Sequence, residues 1–224
     1  MFKRILLGIV VIGALPWVWA QGNGRLYDPE PPADSAYVRV VVSAKSPAMD
    51  VAVDGAVRFR ALPGQEVSDY MVLPGGGHTV ALQVTGKSQV AASKVLEVQK
   101  GKSLTLVFSA AKGDARTTVF EDKGNTNKLK ATLTTYNLGT NGSLDIATAD
   151  GANKVFTGLA AGSSSSIQVN PIAVELMAKN DKGQGKVKLE MAQGGTYSVM
   201  AFEDAQGRPS LKVFQGRVER YTGQ

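Results

Sequence analysis

His78 is the chain's one histidine, and cysteine is absent. Those two facts bound the chemistry at once. A serine nucleophile needs a base within hydrogen-bond reach and a third group to orient that base. His78 sits in Gly75-Gly76-Gly77-His78 with no evident partner. There is no Gly-x-Ser-x-Gly elbow, and Gly113-Asp114-Ala115 carries alanine where a Gly-Asp-Ser esterase motif holds its nucleophile. His78 therefore reads as a turn histidine. Without cysteine there is no thiolate and no disulfide. One histidine cannot build a zinc site. Asp145, Asp150 and Asp181 are scattered among turn residues and lack the alternating spacing of a calcium loop. Gly75 to Gly77 leads into a strand pattern, not into the helix a phosphate loop requires. A catalytic carboxylate pair drawn from distant positions stays open, but nothing nominates one. The expectation is a chain with no catalytic residue, no metal and no cofactor.

The residues left for function are basic and aromatic. Alternation along the first strands points Arg39, Arg58 and Arg60 outward. Guanidinium forks suit carboxylates, uronic acids included. If the strands are neighbours, these three arginines make a polyanion-binding patch; otherwise they serve solubility and edge protection. Net charge is +6, or +4 once Lys3 and Arg4 leave with a signal segment, which permits an anionic partner without demanding one. Tyr27, Pro29, Tyr37 and Arg39 form a second candidate set, for contact with a protein partner. The two tyrosines either anchor that partner or pack the arm onto its own domain.

The elements that must position these groups are short strands. Val38, Val40 and Val42 share one face of a segment whose other face carries Tyr37, Arg39 and Val41, the pattern of a half-buried strand. Similar segments follow at residues 51–53, 57–60, 67–72, 80–84, 95–99, 104–108 and 117–121, with Asp54-Gly55 as a hairpin turn and 73–77 as a wide one. No helical period appears in residues 25–122. A turn every 8–12 residues suggests a sandwich or barrel. Residues 123–130 are polar and strandless, and strands resume from 131. A shift of 94 residues superimposes the halves: Val80 and Leu82 meet Val174 and Leu176, Phe108 meets Phe202, and Val119-Phe120 meets Val213-Phe214. The expected architecture is all-β, two tandem β-sandwich-like domains arising by duplication and preceded by a Pro-rich arm. The divisions are a signal peptide over residues 1–20, the arm over 21–35, one β domain over 36–122, a linker over 123–130 and a second β domain over 131–224. The signal expectation rests on a basic start, an apolar run and a small residue at Ala20, and it places the mature chain in the periplasm. The second domain has no counterpart of the prolines at 29, 31 and 32. The arm is thus dispensable for the repeated fold and free to touch a partner or set a distance from the membrane.

The arm and first strand, Leu26-Tyr27-Asp28-Pro29 through Pro32 and Ser35-Ala36-Tyr37-Val38-Arg39-Val40, resemble the start of the alginate biosynthesis AlgF family. Asn170-Pro171, followed by Val174 and Leu176, is similar to a segment in that family's second half. The resemblance implies a periplasmic protein needed for O-acetylation of alginate. In that system a membrane O-acyltransferase passes acetyl groups to periplasmic O-acetyltransferases, and this chain would be an adaptor among them, not an enzyme. An anionic-polysaccharide-binding module is the alternative, and an acetyltransferase or esterase of unrecognised geometry the third reading.

Overall fold

The β-branched, alternating segments do become strands. The computed structural model describes residues 30–43, 45–111, 114–139 and 142–221, and every regular element among them is a strand. The expected signal peptide and most of the expected arm, with Tyr27 and Pro29, lie outside the described residues.

The first half comprises β1 (Ser35–Val42), β2 (Met49–Val53), β3 (Ala56–Leu62), β4 (Glu66–Val67), β5 (Met71–Pro74), β6 (Gly76–Val84), β7 (Val90–Val98), β8 (Ser103–Ala111) and β9 (Asp114–Asp122). The second comprises β10 (Ala131–Asn137), β11 (Ser143–Thr148), β12 (Lys154–Ala160), β13 (Ser164–Val169), β14 (Ala173–Asn180), β15 (Gly183–Glu190), β16 (Thr196–Glu203) and β17 (Pro209–Gln215). Each half folds as two sheets. One sheet runs β4-β1-β8-β9, with β5 also on β1, and faces β3-β2-β6-β7. The other half repeats this as β13-β10-β16-β17 and β12-β11-β14-β15. The parallel pairing of β1 with β8 recurs as β10 with β16. Two β-sandwiches of one topology stand in tandem.

The first sandwich closes over Val38, Val40, Val51, Val80, Leu82, Leu106 and Phe108. The second closes over Leu133, Leu176, Leu189, Tyr197 and Val199. The repeat is one of topology more than of a fixed residue shift. Val80 and Leu82 match Val174 and Leu176 in facing their own cores, and Phe120 and Phe214 both line a third cluster between the sandwiches. Phe108 and Phe202 do not match. Phe108 faces its own core and Phe202 faces the third cluster, so a one-residue slip has turned β16 over relative to a uniform 94-residue shift.

That third cluster joins the sandwiches. Val41, Val107 and Phe120 from one half pack on Tyr136, Met200 and Phe202 from the other. β1 and β10 are consequently covered on both faces: every residue of β10 is buried, and all of β1 except the half-buried Tyr37. Alternation correctly divides β1 into two faces. It does not say that the second face meets water, and here a second domain covers it.

Other departures are local. Residues 67–72 do not form one strand, because Ser68 breaks the edge: Ser68 N donates to Val40 O at 2.9 Å and its Oγ accepts from Val40 N at 2.9 Å. Asp54-Gly55 is the two-residue hairpin expected, with φ of 50° and 84°. The turn after Pro74 is tight, with Gly76 at φ 131°, so His78 lies on β6 and not at a turn mouth. Gly185 is fixed by packing, since a Cβ there would stand 2.1 Å from the Pro209 carbonyl oxygen on β17.

Candidate functional site

The densest group of polar side chains lies where the sandwiches meet. Arg39 is 2% exposed and does not point to solvent, as alternation alone suggested. Its Nε donates to Thr105 Oγ1 at 2.8 Å, and its Nη2 donates to Tyr136 Oη at 3.0 Å and Ser198 Oγ at 2.9 Å. Tyr136 and Ser198 belong to the second sandwich, so the guanidinium reaches across the joint. Its carbon stands 4.7 Å from the centre of the Tyr70 ring and 5.6 Å from that of Tyr136, close enough for cation–π attraction. Asp122, at the end of β9, collects the other hydroxyls. It accepts from Tyr136 Oη at 2.6 Å, Tyr70 Oη at 2.7 Å and Thr105 Oγ1 at 2.6 Å. Burial disfavours the Arg39 charge, but Tyr136, Tyr70 and Asp122 outweigh it and hold the guanidinium pKa above its ordinary value. Burial also drives the phenol pKa values of Tyr70 and Tyr136 upward, so both remain protonated donors.

This arrangement is a lock. Each polar atom of Arg39 and Asp122 that is committed here is committed to another protein group, and a buried charge left without partners costs several kcal/mol. A slide between the sandwiches would strand Arg39. Phe120 and Tyr136 add an edge-to-face pair at 5.3 Å across the same joint. At its rim Lys212 Nζ donates to Glu66 Oε1 at 2.6 Å and Gln65 Nε2 to the Glu203 carbonyl at 3.3 Å. The chain end then returns to the first sandwich. Tyr70 N donates to Arg217 O at 2.8 Å, Glu219 N donates to Tyr70 O at 2.9 Å, and the Glu219 carboxylate caps Val72 N at 3.2 Å while pairing with Arg58.

The expected basic patch therefore does not assemble. Arg39 is inside the joint. Arg58 is half-buried against Glu219, and burial lowers its pKa. Arg60 alone extends into solvent, with its side chain 76% exposed and Asp50 at 3.8 Å. Tyr37 is half-buried and lines a cavity of about 230 Å³ with Tyr70, Asp122 and Val218. It thus packs beside the lock on the inter-sandwich side of β1.

His78 does have a partner. Nδ1 lies 2.7 Å from Asp54 Oδ2, and Nε2 lies 2.9 Å from Pro74 O. Asp54 is set by the hairpin: its other oxygen accepts from Thr79 N at 2.7 Å. That hydrogen bond, then the one from His78, holds its carboxyl below the usual range. Burial works against a charge on His78, but Asp54 and Pro74 prevail and raise its pKa. Both ring nitrogens face acceptors, so neither is free to take a proton from a nucleophile. The adjoining cavity of about 550 Å³ is lined by Arg58, Leu73, Glu219 and Tyr221 among others, and its lining holds no serine or threonine. Asp150 caps its turn by accepting from Ala152 N at 3.0 Å. Among the described residues no group of three or more His, Asp or Glu side chains is placed to hold a metal.

Tyr70, Thr105, Asp122, Tyr136, Ser198 and Glu219 escape a reading of the sequence. Their partners are supplied by strands far apart in the chain, and no spacing announces them. One signal is present: Arg39 sits amid four valines and an alanine in an eight-residue strand. A charge in so apolar a strand marks either an edge or a buried partner.

Residues 10–197 match the family described as Alginate O-acetyl transferase AlgF. An alginate biosynthesis protein AlgF from Pseudomonas putida is 31% identical over 183 residues, covering 81% of this chain and 79% of that protein. Among solved structures, a family 26 carbohydrate-binding module of Eubacterium rectale Amy13K in complex with maltoheptaose aligns with 84% of this chain and 99% of its own. Its identity is 11% and its TM-score 0.25, too slight a likeness to carry an argument about fold or ligand.

Proposed function

The chain belongs to the AlgF family of alginate biosynthesis proteins, and from that membership we propose that it acts in alginate O-acetylation as a non-catalytic periplasmic adaptor, bringing a membrane O-acyltransferase and periplasmic O-acetyltransferases together. The observation that carries the non-catalytic part is His78. Acyl transfer through a serine needs an imidazole nitrogen open to the hydroxyl, and both nitrogens here are spent on Asp54 and Pro74. The Asp122 carboxylate is likewise occupied, by three hydroxyl donors. The adaptor part draws support from the lock between the sandwiches. Two domains fastened through buried polar groups present their outer sheets in a fixed relation, which suits a body that must hold two partners at a set distance.

The test has two arms. The mature protein, immobilised, is offered the periplasmic O-acetyltransferases and the detergent-solubilised O-acyltransferase. A complex with at least one of them is expected, and none at high micromolar concentration would sink the adaptor. In parallel the protein is given an activated acetyl ester. Background turnover is expected, and turnover that His78→Ala abolishes would return the chain to the enzymes. The polysaccharide-binding alternative has lost its main support, because Arg39 is enclosed and Arg58 is paired.

A further inference from the structure

β1 and β10 are equivalent strands, and each has an antiparallel neighbour on the side away from the parallel pair: β5 in the first sandwich, β13 in the second. Register fixes which backbone groups of those neighbours face outward. Tyr37 N donates to Lys102 O, on the β8 side. Ala36 and Val38 therefore bond Leu73 and Met71, and Tyr70 and Val72 point away from the sheet. Thr132 N likewise donates to Gly195 O, on the β16 side. Leu133 and Thr135 therefore bond Ile167 and Ser165, and Ser164, Ser166 and Gln168 point away. Tyr37 stands opposite Val72 and Thr132 opposite Gln168, so Gln168 corresponds to Val72 and Ser166 to Tyr70. In the first sandwich the chain's own end fills these outward groups. Tyr70 N donates to Arg217 O, Glu219 N donates to Tyr70 O, and Val218 lies beside Tyr70 as a parallel bridge. The Glu219 carboxylate takes Val72 N. In the second sandwich β13 ends its sheet, and among the described residues no backbone group reaches Ser164, Ser166 or Gln168 from outside. The linker meets β13 side chain to side chain, Gln168 Nε2 donating to Thr126 Oγ1 at 3.0 Å.

Proteins blunt open sheet edges with charges, prolines or a covering segment, because an unpaired edge accepts any strand offered to it. The other edges here follow that rule. β5 has the tail over it and ends in Pro74, while β3, β4, β7, β9, β12, β15 and β17 each carry at least one charged residue. β13 carries none, and it pairs with β10 without a bulge. It also borders a cavity of about 540 Å³ into which Thr132, Lys102 and Lys123 project. Thr132 is 2% exposed, yet its Oγ1 has no hydrogen-bond partner. Lys102 is bound to Glu121, whereas Lys123 enters no ion pair among the described residues. The edge calls for an extended backbone, and the ammonium beside a buried, unpartnered hydroxyl calls for a carboxylate. We propose that the outer edge of β13 takes an extended acidic segment of a partner protein as an added parallel strand, its carboxylate entering the cavity at Lys123 and Thr132. The tail on β5 is the same mode of binding made within the chain. The proposal goes beyond the adaptor reading and does not depend on it, since a synthetic strand stands in for the partner.

The probe is the peptide acetyl-Thr-Val-Glu-Val-Thr-Val-amide, titrated to millimolar concentration into isotope-labelled protein and followed by NMR. Saturable shifts are expected at the amides of Ser164, Ser166, Gln168 and Lys123, with slowed hydrogen exchange at Ser166. Ser166→Pro removes an N–H that faces away from β10, a change an edge strand tolerates, so thermal melting is retained. Binding by this variant falls about tenfold, as the loss of one hydrogen bond implies. Lys123→Glu, on the exposed rim, weakens the glutamate peptide about fivefold and strengthens a peptide with lysine in its place. No saturable shift along β13, or wild-type affinity in Ser166→Pro, overturns the edge. Shifts at Tyr70 and Val72 instead would mean that the peptide displaces the tail, and would also overturn it. Equal affinity for the glutamate and lysine peptides overturns the acidic occupant. If sedimentation shows a wild-type dimer that Ser166→Pro dissociates, the occupant is a second copy and the assignment to a partner's segment is wrong.

Discussion

Arg39 and Asp122 stand 3.9 Å apart at Nε and Oδ2, and the Thr105 hydroxyl fills the gap between them. It accepts from Arg39 Nε at 2.8 Å and donates to Asp122 Oδ2 at 2.6 Å. The two charges attract through a shared hydroxyl, and each also holds Tyr136 directly. A cation and an anion of the first sandwich thus converge on one phenol of the second. Such a buried network adds little net stability over an apolar core, but removing one member leaves the others uncompensated.

Asp122→Ala should accordingly lower unfolding stability by about 3 kcal/mol, because Arg39 keeps its burial and loses its counter-charge. Arg39→Met combined with Asp122→Asn, which removes both charges and keeps their volumes, should cost less, since no charge is then left stranded. Urea unfolding of both variants decides this. Equal, small losses for the two would mean that the joint does not depend on the pair.

Half of that joint was visible in the chain. The alternation of β1, the Asp54-Gly55 turn and the repeated strand pattern foretell two sandwiches, because a strand's own residues dictate its period and its turns. Which face a second domain covers is decided by tertiary packing. Arg39 reads as outward for that reason, although the four valines around it were a warning. Phe108 and Phe202 show the same limit. Identical residues at a constant shift suggested equivalence, yet a one-residue slip places them on opposite faces. His78 found its partner only when β2 and β6 paired and carried Asp54 alongside it.

His78 predicts a pH dependence with a definite sign. Both its nitrogens face oxygen acceptors, so the doubly protonated ring satisfies both and the neutral ring loses one. Its folded pKa is raised above the ordinary 6.5. The stability it contributes is complete below about 6.5 and is lost as pH climbs through the folded value. Asp54, with a depressed pKa, acts at the other limit: its share is lost as pH falls through its folded value. The wild type should therefore lose stability relative to His78→Gln as pH rises above about 6.5 and through the raised folded pKa of the ring. Urea midpoints across that range test it, together with an NMR titration of the ring protons. A parallel pH response in the two proteins, or a ring pKa below 6.5, would refute the arrangement.

Thr135 offers the opposite case, a buried polar group with nothing to do. It is fully buried on β10, and its Oγ1 has no hydrogen-bond partner. It shares the face of Leu133, which packs in the core of the second sandwich, and it pairs in register with Val199. A hydroxyl desolvated without a partner is a standing cost, and valine has nearly its shape with a better strand propensity. Thr135→Val should raise stability by about 1 kcal/mol, which for a chain of this size is an increase of about 2–4 °C in Tm. Calorimetry on the two proteins reads both. A fall in Tm would show that the hydroxyl is satisfied after all, by a water buried between the sheets, and that the core of the second sandwich is wetter than its apolar lining implies.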